Sequence, residues 1–189
     1  MPAPRWPIDT ERLRLRPFEP GDLDALYEIH GDEANARYLY NEARTRSEVE
    51  ELLERKIRGS AVAREGAWLS AAGVLRTTGE LVVDVSLLWA SAAHRQGEVG
   101  FIAHPAHQGR GYATEAARPL LAFAFETLSL HRVCARVEPR NFGSVRVLEK
   151  LGMRREAHFV ENELIRGEWQ SEAVYALLAA EWARASRGA

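Results

Sequence analysis

Cysteine is almost absent from this chain of 189 residues, in which Cys134 stands alone. A single cysteine excludes an intrachain disulfide and fits a reducing compartment. The chain also lacks any run approaching ~20 apolar residues, and its first residues, Met1 to Pro7, hold three prolines and no apolar core of signal-peptide length. We therefore expect a cytoplasmic location and no membrane partner.

An excess of positive charge is missing as well. The chain has 25 lysines and arginines against 27 aspartates and glutamates, a formal net charge of -2, so no global charge attracts nucleic acid or anionic lipid. A hydrophobic fraction of 46% with 28% charged residues is typical of a globular protein. We predict a single domain over residues 1–189, without a nucleic-acid partner, that acts as a monomer or a homodimer.

Hydrophobic periodicity predicts a mixture of helices and strands. The alternation from Arg12 to Arg16 predicts a strand with Leu13 and Leu15 in the core and its arginines in solvent, and the acidic total disfavours a basic stripe for nucleic acid. Ser47 and Glu50 have the spacing of a capping box at a helix start. The predicted order is two helices (from 23, and from 47 to about 64), a meander of three strands (68–75, 81–90, 96–103), a helix kinked or broken at Pro119 (112–128), a strand (132–138), a helix (142–151) and a hairpin around residues 166–168.

The segment from Glu98 to Glu115 carries the clearest functional signal. A predicted strand ends at Pro105, Gly109 and Gly111 release the backbone, and a helix begins at once. Several unpaired N–H groups and the positive end of the helix would converge on one point, which is the geometry of a phosphate site. No Gly-Lys-Ser/Thr closes the turn, so it is not a P-loop, and Thr114 replaces the third glycine of a dinucleotide fingerprint.

Gln108-x-x-Gly111-x-Ala113 resembles the coenzyme-A signature of the GNAT superfamily, Gln/Arg-x-x-Gly-x-Gly/Ala. The chain further resembles the Rim-type branch, the ribosomal-protein N-terminal acetyltransferases and their relatives, over residues 10–16, 111–116 and 141–153. This resemblance implies an α/β (α+β) fold: a mixed, twisted sheet of about seven strands with helices on both faces and two splayed parallel strands. It also implies an N-acetyltransferase that moves an acetyl group from acetyl-CoA to a primary amine, on a protein N-terminus or a small molecule.

The resemblance also implies which residues bind acetyl-CoA. The pyrophosphate would lie on backbone N–H groups of the turn formed by Gln108, Gly109, Arg110, Gly111, Tyr112 and Ala113. Phe101, Ile102 and Ala103 would pair with the pantetheine amides, and the Ile102 N–H would polarise the thioester carbonyl. Asn141 would cap a helix, contact coenzyme A, or do both.

Amine acetylation needs a base for the amine and a proton donor for the leaving thiolate. Glu98 is the candidate base because it lies among apolar residues of a strand, and the alternative is a salt bridge to an arginine. Many GNAT enzymes use a tyrosine as the acid, but this chain has Leu148 in that place. Ser144 matches a serine assigned to the role in Rim-type enzymes, and the alternative is that it caps its helix.

The acceptor side is less defined by the sequence. Residues 31–46 and the hairpin at 159–170 hold several acidic residues and would form a cavity for a cationic amine. His94, His104 and His107 lack a cysteine partner and a regular ligand spacing, so we predict no metal. Because the usual tyrosine is missing, a catalytically inactive coenzyme-A-binding protein with a regulatory or structural role is the alternative function.

Overall fold

A computed structural model describes residues 2–39, 42–62 and 64–187 of the chain. Within them, eight strands form one sheet in the order β1-β2-β3-β4-β5-β6-β8-β7. The strands are β1 (Ile8–Asp9), β2 (Leu13–Arg16), β3 (Trp68–Leu75), β4 (Leu81–Ser91), β5 (Gln96–Ala103), β6 (Arg132–Val137), β7 (Arg154–Ile165) and β8 (Glu168–Leu178). The helices are α1 (Leu23–His30), α2 (Glu33–Ala36), α3 (Arg46–Arg58), α4 (Tyr112–Ala122), α5 (Phe142–Lys150) and α6 (Ala179–Arg187).

The two faces of the sheet are covered by different helices. On one face, α4 and α5 pack against apolar residues such as Leu13, Val85 and Val133, which are fully buried. On the other face, α1 and α3 cover only the β3 and β4 end, through a smaller cluster that includes Leu26 and Val49. The mixed sheet with helices on both faces confirms the expected fold, with the short strand β1 in addition to the seven strands expected.

The parallel pair β5 and β6, near the centre of this sheet, is joined over only a short stretch. Its register runs only from Gln96 opposite Arg132 to Glu98 opposite Cys134. Beyond Glu98, β5 continues to Ala103 without pairing to β6, while its other edge stays paired to β4. The two strands therefore separate, as expected, and leave one edge of β5 open.

Three local predictions need correction. The capping box of α3 is formed by Thr45 and Glu48 rather than by Ser47 and Glu50, and the helix ends at Arg58 rather than near residue 64. The helix after the glycine turn is α-helical through Pro119 and becomes a π-helix at Phe123–Thr127, so its irregularity lies one turn beyond the proline.

The final hairpin turns at Arg166 and Gly167, both with positive φ, as a two-residue turn of this twist requires.

Candidate active site

The glycine turn brings unpaired N–H groups to one end of α4. Gly109 and Gly111 have φ of 74° and 84°, and Gly111 is the N-cap of α4 with no side-chain cap. The first N–H groups of the helix therefore have no partner within the helix. The hydroxyl of Thr114, in the same turn, is buried without a hydrogen-bond partner among the described residues. These features fit an anion at this helix start.

A brace of hydrogen bonds from the segment between β1 and β2 holds the turn in shape. Arg12 donates from Nη1 to the carbonyl of Arg110 at 2.9 Å and from Nε to Glu115 at 2.7 Å. The other oxygen of Glu115 accepts from the Arg12 N–H and from the Thr10 hydroxyl. Burial raises the pKa of Glu115, but these hydrogen bonds and the Arg12 charge outweigh it and hold the pKa below its usual value. Arg12 is thus exposed to solvent, as expected, and is also a structural partner of the turn.

A cavity of about 560 Å³ opens from the turn towards α5. The glycine turn, the end of β5 and the first turns of α5 line it, and three basic residues, Arg140, Arg146 and Lys150, lie around it. Of the predicted coenzyme-A residues, those that line this cavity are Phe101, Ile102, Ala103, Gln108, Gly109, Gly111, Tyr112, Ala113 and Asn141. The Arg110 side chain is exposed, and its carbonyl bonds to Arg12. Backbone donors, basic side chains and open volume together fit the phosphates and pantetheine of coenzyme A.

The sheet register identifies which β5 N–H groups face the open edge. The His104 N–H donates to the Val82 carbonyl at 2.9 Å, so Val82 and His104 form a hydrogen-bonded pair. In the same register, the pair two residues further along is Asp84 opposite Ile102. Since hydrogen-bonded pairs alternate in an antiparallel ladder, the Ile102 N–H points to β4. The open edge instead presents the N–H groups of Phe101 and Ala103. The Ile102 N–H, expected to polarise a thioester, therefore does not face the open edge, whereas the Phe101 N–H, one residue earlier, does.

A second cavity of about 540 Å³ lies on the α1 and α3 side of β5. It shares Phe101, Ile102, Asn141 and Ser144 with the first cavity, so the two form one continuous groove past the open edge. Tyr38, Leu39 and Arg44 contribute from the predicted acceptor segment 31–46, of which Tyr40 and Asn41 lie outside the described residues. Among its described lining residues none comes from the hairpin at 159–170. Arg166 at the hairpin tip instead contacts the Ala36 carbonyl and lies 3.7 Å from Glu33.

Glu98 lies where β5 and β6 begin to separate. Its carboxylate is 3.5 Å from Nε of Arg136. Nη1 of the same arginine donates to Glu172 at 2.7 Å. Burial raises the pKa of Glu98, and the Arg136 charge opposes that rise. Glu98 is thus a partly buried carboxylate, as a base would be, and it also has an arginine partner, as the alternative of a salt bridge requires.

Ser144 lies in the first turn of α5 and lines both cavities. Asn141 is the N-cap of this helix, and its side chain accepts the Ser144 N–H at 3.0 Å. The cap is therefore Asn141 rather than Ser144. Leu148, in the place of the usual tyrosine, is buried and lines the second cavity.

Sequence reasoning missed a buried charged cluster in the wall of the second cavity. Asp84 of β4 contacts His30 Nε2 and Lys56 Nζ, each at 2.8 Å, and all three side chains are nearly buried. Burial raises the pKa of Asp84, but the Lys56 charge and His30 outweigh it and lower the pKa to about 2. The one available signal was a lone carboxylate within the apolar run Val82-Val83-Asp84-Val85.

Across residues 2–39, 42–62 and 64–187, no group of three or more His, Cys, Asp or Glu side chains has the arrangement of a metal site. Two of the histidines considered for a metal bond instead to carboxylates, His104 to Glu28 and His107 to Glu80, each at 2.8 Å. The same described part of the chain has no helix with the length and apolarity to cross a bilayer.

An uncapped helix start after a glycine turn, next to an open strand edge and a continuous groove, defines the fold of a coenzyme-A-dependent acyltransferase. The chain belongs to the family described as Acetyltransferase (GNAT) domain, which matches residues 12–154. It is therefore an N-acetyltransferase of a family that uses acetyl-CoA.

Individual relatives agree with this family over nearly the whole chain. The uncharacterized N-acetyltransferase YnaD of Bacillus subtilis (strain 168) is 30% identical over 175 residues, 93% of this chain and 98% of that protein. A GNAT-family acetyltransferase structure from Bacillus anthracis has a TM-score of 0.81 at 31% identity and covers 92% of this chain and 99% of that one. Spermidine N-acetyltransferase from Vibrio cholerae, solved in complex with CoA and spermine, has a TM-score of 0.78 at 26% identity, with 92% and 99% coverage.

Proposed function

We propose that this protein acetylates a primary amine by direct attack of the amine on the thioester of acetyl-CoA. The observation that carries the proposal is the continuous groove past the open edge of β5. One half is the cavity of about 560 Å³ at the start of α4, called the phosphate cavity below. The other half is the cavity of about 540 Å³ on the α1 and α3 side, called the acceptor cavity. The turn from Gln108 to Ala113 would bind the pyrophosphate, and the N–H groups of Phe101 and Ala103 would bind pantetheine and the thioester carbonyl.

Glu98 is the proposed base for the amine. It lies at the separation point of the parallel strands and lines neither cavity, but its ion-pair partner Arg136 lines the second cavity. Partial burial raises the pKa of Glu98, which makes it a better proton acceptor near neutral pH than an ordinary glutamate. Arg136, 3.5 Å away, keeps the carboxylate ionised and oriented. Partial burial and the ion pair with Arg136 therefore both support a role for Glu98 in taking the proton from the amine, directly or through water.

Ser144 is the proposed proton donor for the thiolate. It lines both halves of the groove, and its helix is capped by Asn141, which leaves the Ser144 hydroxyl without a capping role. The match of residues 141–153 to the Rim-type branch supports the same assignment, and we propose that branch for this chain. We also propose a cytoplasmic location, supported by the lone Cys134.

The first test is coenzyme-A binding by Gly109→Val, measured by calorimetry. Gly109 lines the phosphate cavity, and a valine there would obstruct the anion, so we expect binding to be lost. Gly79→Val is the matched control: Gly79 has φ of 77° against 74°, and an added Cβ meets no atom within 4 Å at either site. Equal backbone strain in both variants isolates the cavity effect. Equal binding of coenzyme A by both variants would contradict the phosphate-turn assignment.

The second test is turnover of acetyl-CoA with a panel of amines, followed by release of free thiol. An N-acetyltransferase should release thiol only when an acceptor amine is present. Binding of coenzyme A without turnover of any amine would favour the alternative, an inactive coenzyme-A-binding protein with a regulatory or structural role.

A further inference from the structure

The acceptor cavity has more cationic than anionic side chains in its helical wall. Arg44, Arg55 and Lys56 line it, against Asp84 as the sole carboxylate among its described lining residues. Lys56 and Asp84 are 2.8 Å apart and neutralise each other. Arg55 is more than half exposed and lies 4.0 Å from Glu51. The remaining cation of this wall is Arg44.

Arg44 has a fixed backbone and an unsatisfied side chain. Its N–H donates to the His30 carbonyl at 3.0 Å, which anchors the residue to the end of α1. Its Nε is buried and has no hydrogen-bond partner among the described residues. The charge of Arg44 does act on Glu48, but that exposed carboxylate accepts from the N–H and hydroxyl of Thr45 in the α3 capping box. The Nε itself is shielded from the cavity, but Arg44 also lines the cavity, so an oxygen of a bound acceptor can form a charge-assisted hydrogen bond with the accessible part of its side chain.

We propose that the acceptor of this enzyme carries an anionic group, a carboxylate or a phosphate, that binds Arg44 while its amine reaches the thioester. The planar guanidinium forms strong, charge-assisted hydrogen bonds with either group. This inference rests on the proposed amine acetylation and narrows its acceptor.

The same wall disfavours a polyamine as the acceptor. A second ammonium group would need a free carboxylate, but both oxygens of Asp84 are taken by Lys56 and His30. It would also approach the positive charge of Arg44, and like charges within a cavity repel. On the opposite wall the cavity is lined by Arg136, a further cation, whereas its partners Glu98 and Glu172 are not among the described lining residues. The chain is thus expected to differ in acceptor from its relative that was solved with spermine.

Three four-carbon amines test the charge preference directly. 4-Aminobutyrate, butylamine and 1,4-diaminobutane share the reacting amine and end in a carboxylate, a methyl group and an ammonium. We expect kcat/KM to be highest for 4-aminobutyrate, by roughly 10-fold or more over butylamine, as one charge-assisted hydrogen bond provides. The ratio of kcat/KM for O-phosphoethanolamine over ethanolamine repeats the comparison for a phosphate. The larger of the two ratios identifies whether the anionic group of the acceptor is a carboxylate or a phosphate.

Variants then assign the preference to Arg44. In Arg44→Gln, the ratio of kcat/KM for 4-aminobutyrate over butylamine should fall about 10-fold, and Arg44→Lys should retain part of it. Arg58→Gln, an exposed arginine of α3 outside the cavity, is the matched control and should keep the wild-type ratio. Acetyl-CoA binding by each variant reports that it is folded.

The outcomes separate the two proposals. A preference for 1,4-diaminobutane, or a ratio that Arg44→Gln leaves unchanged, would overturn the anionic acceptor while amine acetylation stands. If acetyl-CoA binds but no amine of any charge is acetylated, amine acetylation itself fails, and this inference fails with it.

Discussion

At the scale of single residues, two opposing influences set the behaviour of Glu98. Burial raises its pKa, and Arg136 lowers it. A base acts in its ionised form, so the rate should fall as the pH falls through this raised pKa. In Arg136→Gln the lowering influence is removed, and we expect the acidic limb of the kcat/KM profile to move to higher pH.

Glu98→Gln is the partner variant in this measurement. It removes the proton acceptor at nearly constant shape, so activity should drop roughly 100-fold or more and the acidic limb should disappear. Full activity of Glu98→Gln across the pH range would reduce Glu98 to its ion pair with Arg136. Coenzyme-A affinity, measured on the same samples, should be unchanged in either case, since Glu98 does not line the phosphate cavity.

Ser144 gives a cleaner test than the sequence alone could offer. Because Asn141 caps α5, Ser144→Ala should leave the melting temperature near that of the wild type. If the hydroxyl protonates the thiolate, turnover should fall roughly 100-fold to 10,000-fold. Asn141→Ala is the contrasting variant and should cost ~1 kcal/mol of stability through loss of the cap. Unchanged turnover in Ser144→Ala would remove the residue from catalysis.

The residues that sequence reasoning singled out were those with a local pattern. Gly109 and Gly111 were identified from their spacing before a helix, and both have the positive φ that was expected. Asp84 was missed because its partners, His30 and Lys56, lie 54 and 28 residues away in the chain. Its significance depends on a contact between two helices and a strand, which no local pattern encodes.

At the scale of elements, hydrogen bonds from the segment just before β2 connect the start of the chain to the glycine turn and α4. Arg12 of the amino-terminal segment bonds to the turn carbonyl of Arg110 and to Glu115 of α4. Arg12→Gln should therefore loosen the turn and weaken coenzyme-A binding about 10-fold, measured by calorimetry. Arg14→Gln is the control, because Arg14 pairs with exposed Asp9 away from the turn. Equal affinities for the two variants would contradict the brace.

Element boundaries followed from the sequence less reliably than element types. Thr45 and Glu48 have the same spacing as Ser47 and Glu50, so both pairs satisfy the capping-box pattern. The choice of Thr45 follows from tertiary contacts: Val49, four residues after the cap, is fully buried in the cluster with Leu26. Packing of this kind decides the first turn of a helix, and the local sequence does not record it.

At the scale of the whole molecule, the groove results from a sheet that is incomplete at its centre. The parallel pairing of β5 and β6 stops at Glu98, and α1 and α3 cover only one end of the same face. The family resemblance predicted the separation, but the charge of the acceptor cavity depends on which side chains the three-dimensional fold brings to it. Tyr38, Leu39 and Arg44 of segment 31–46 line that cavity as expected. The prediction that acidic residues of this segment and of the hairpin at 159–170 line it is wrong, because none of them is among the described lining residues.

The buried cluster under this groove makes a prediction about the stability of the whole domain. The pKa of Asp84 is lowered to about 2 from a usual 3.8, so its ionised form stabilises the folded state. That contribution is fully present above the unfolded pKa and is lost as the pH falls from about 4 to about 2, and it amounts to about 2 kcal/mol. Urea unfolding between pH 2 and 6 should therefore show a loss of stability in this window that is about 2 kcal/mol smaller in Asp84→Asn, the remainder coming from other carboxylates with lowered pKa values, such as Glu115 and Glu138.

Asp84→Asn should itself be destabilising at neutral pH, and a double variant reveals the reason. With Asp84 neutral, Lys56 remains as a nearly buried cation whose carboxylate partner is gone, a situation that costs about 3–5 kcal/mol. Adding Lys56→Met removes that charge and replaces its stem with an apolar chain, so the double variant should recover much of the lost stability. If Asp84→Asn and the double variant are equally unstable, the cost lies in lost packing or in the hydrogen bond to His30 rather than in the unpaired charge. If the double variant does recover stability, the unpaired charge of Lys56 is the cause. The domain then tolerates the buried carboxylate of Asp84 because Lys56 of α3 neutralises it.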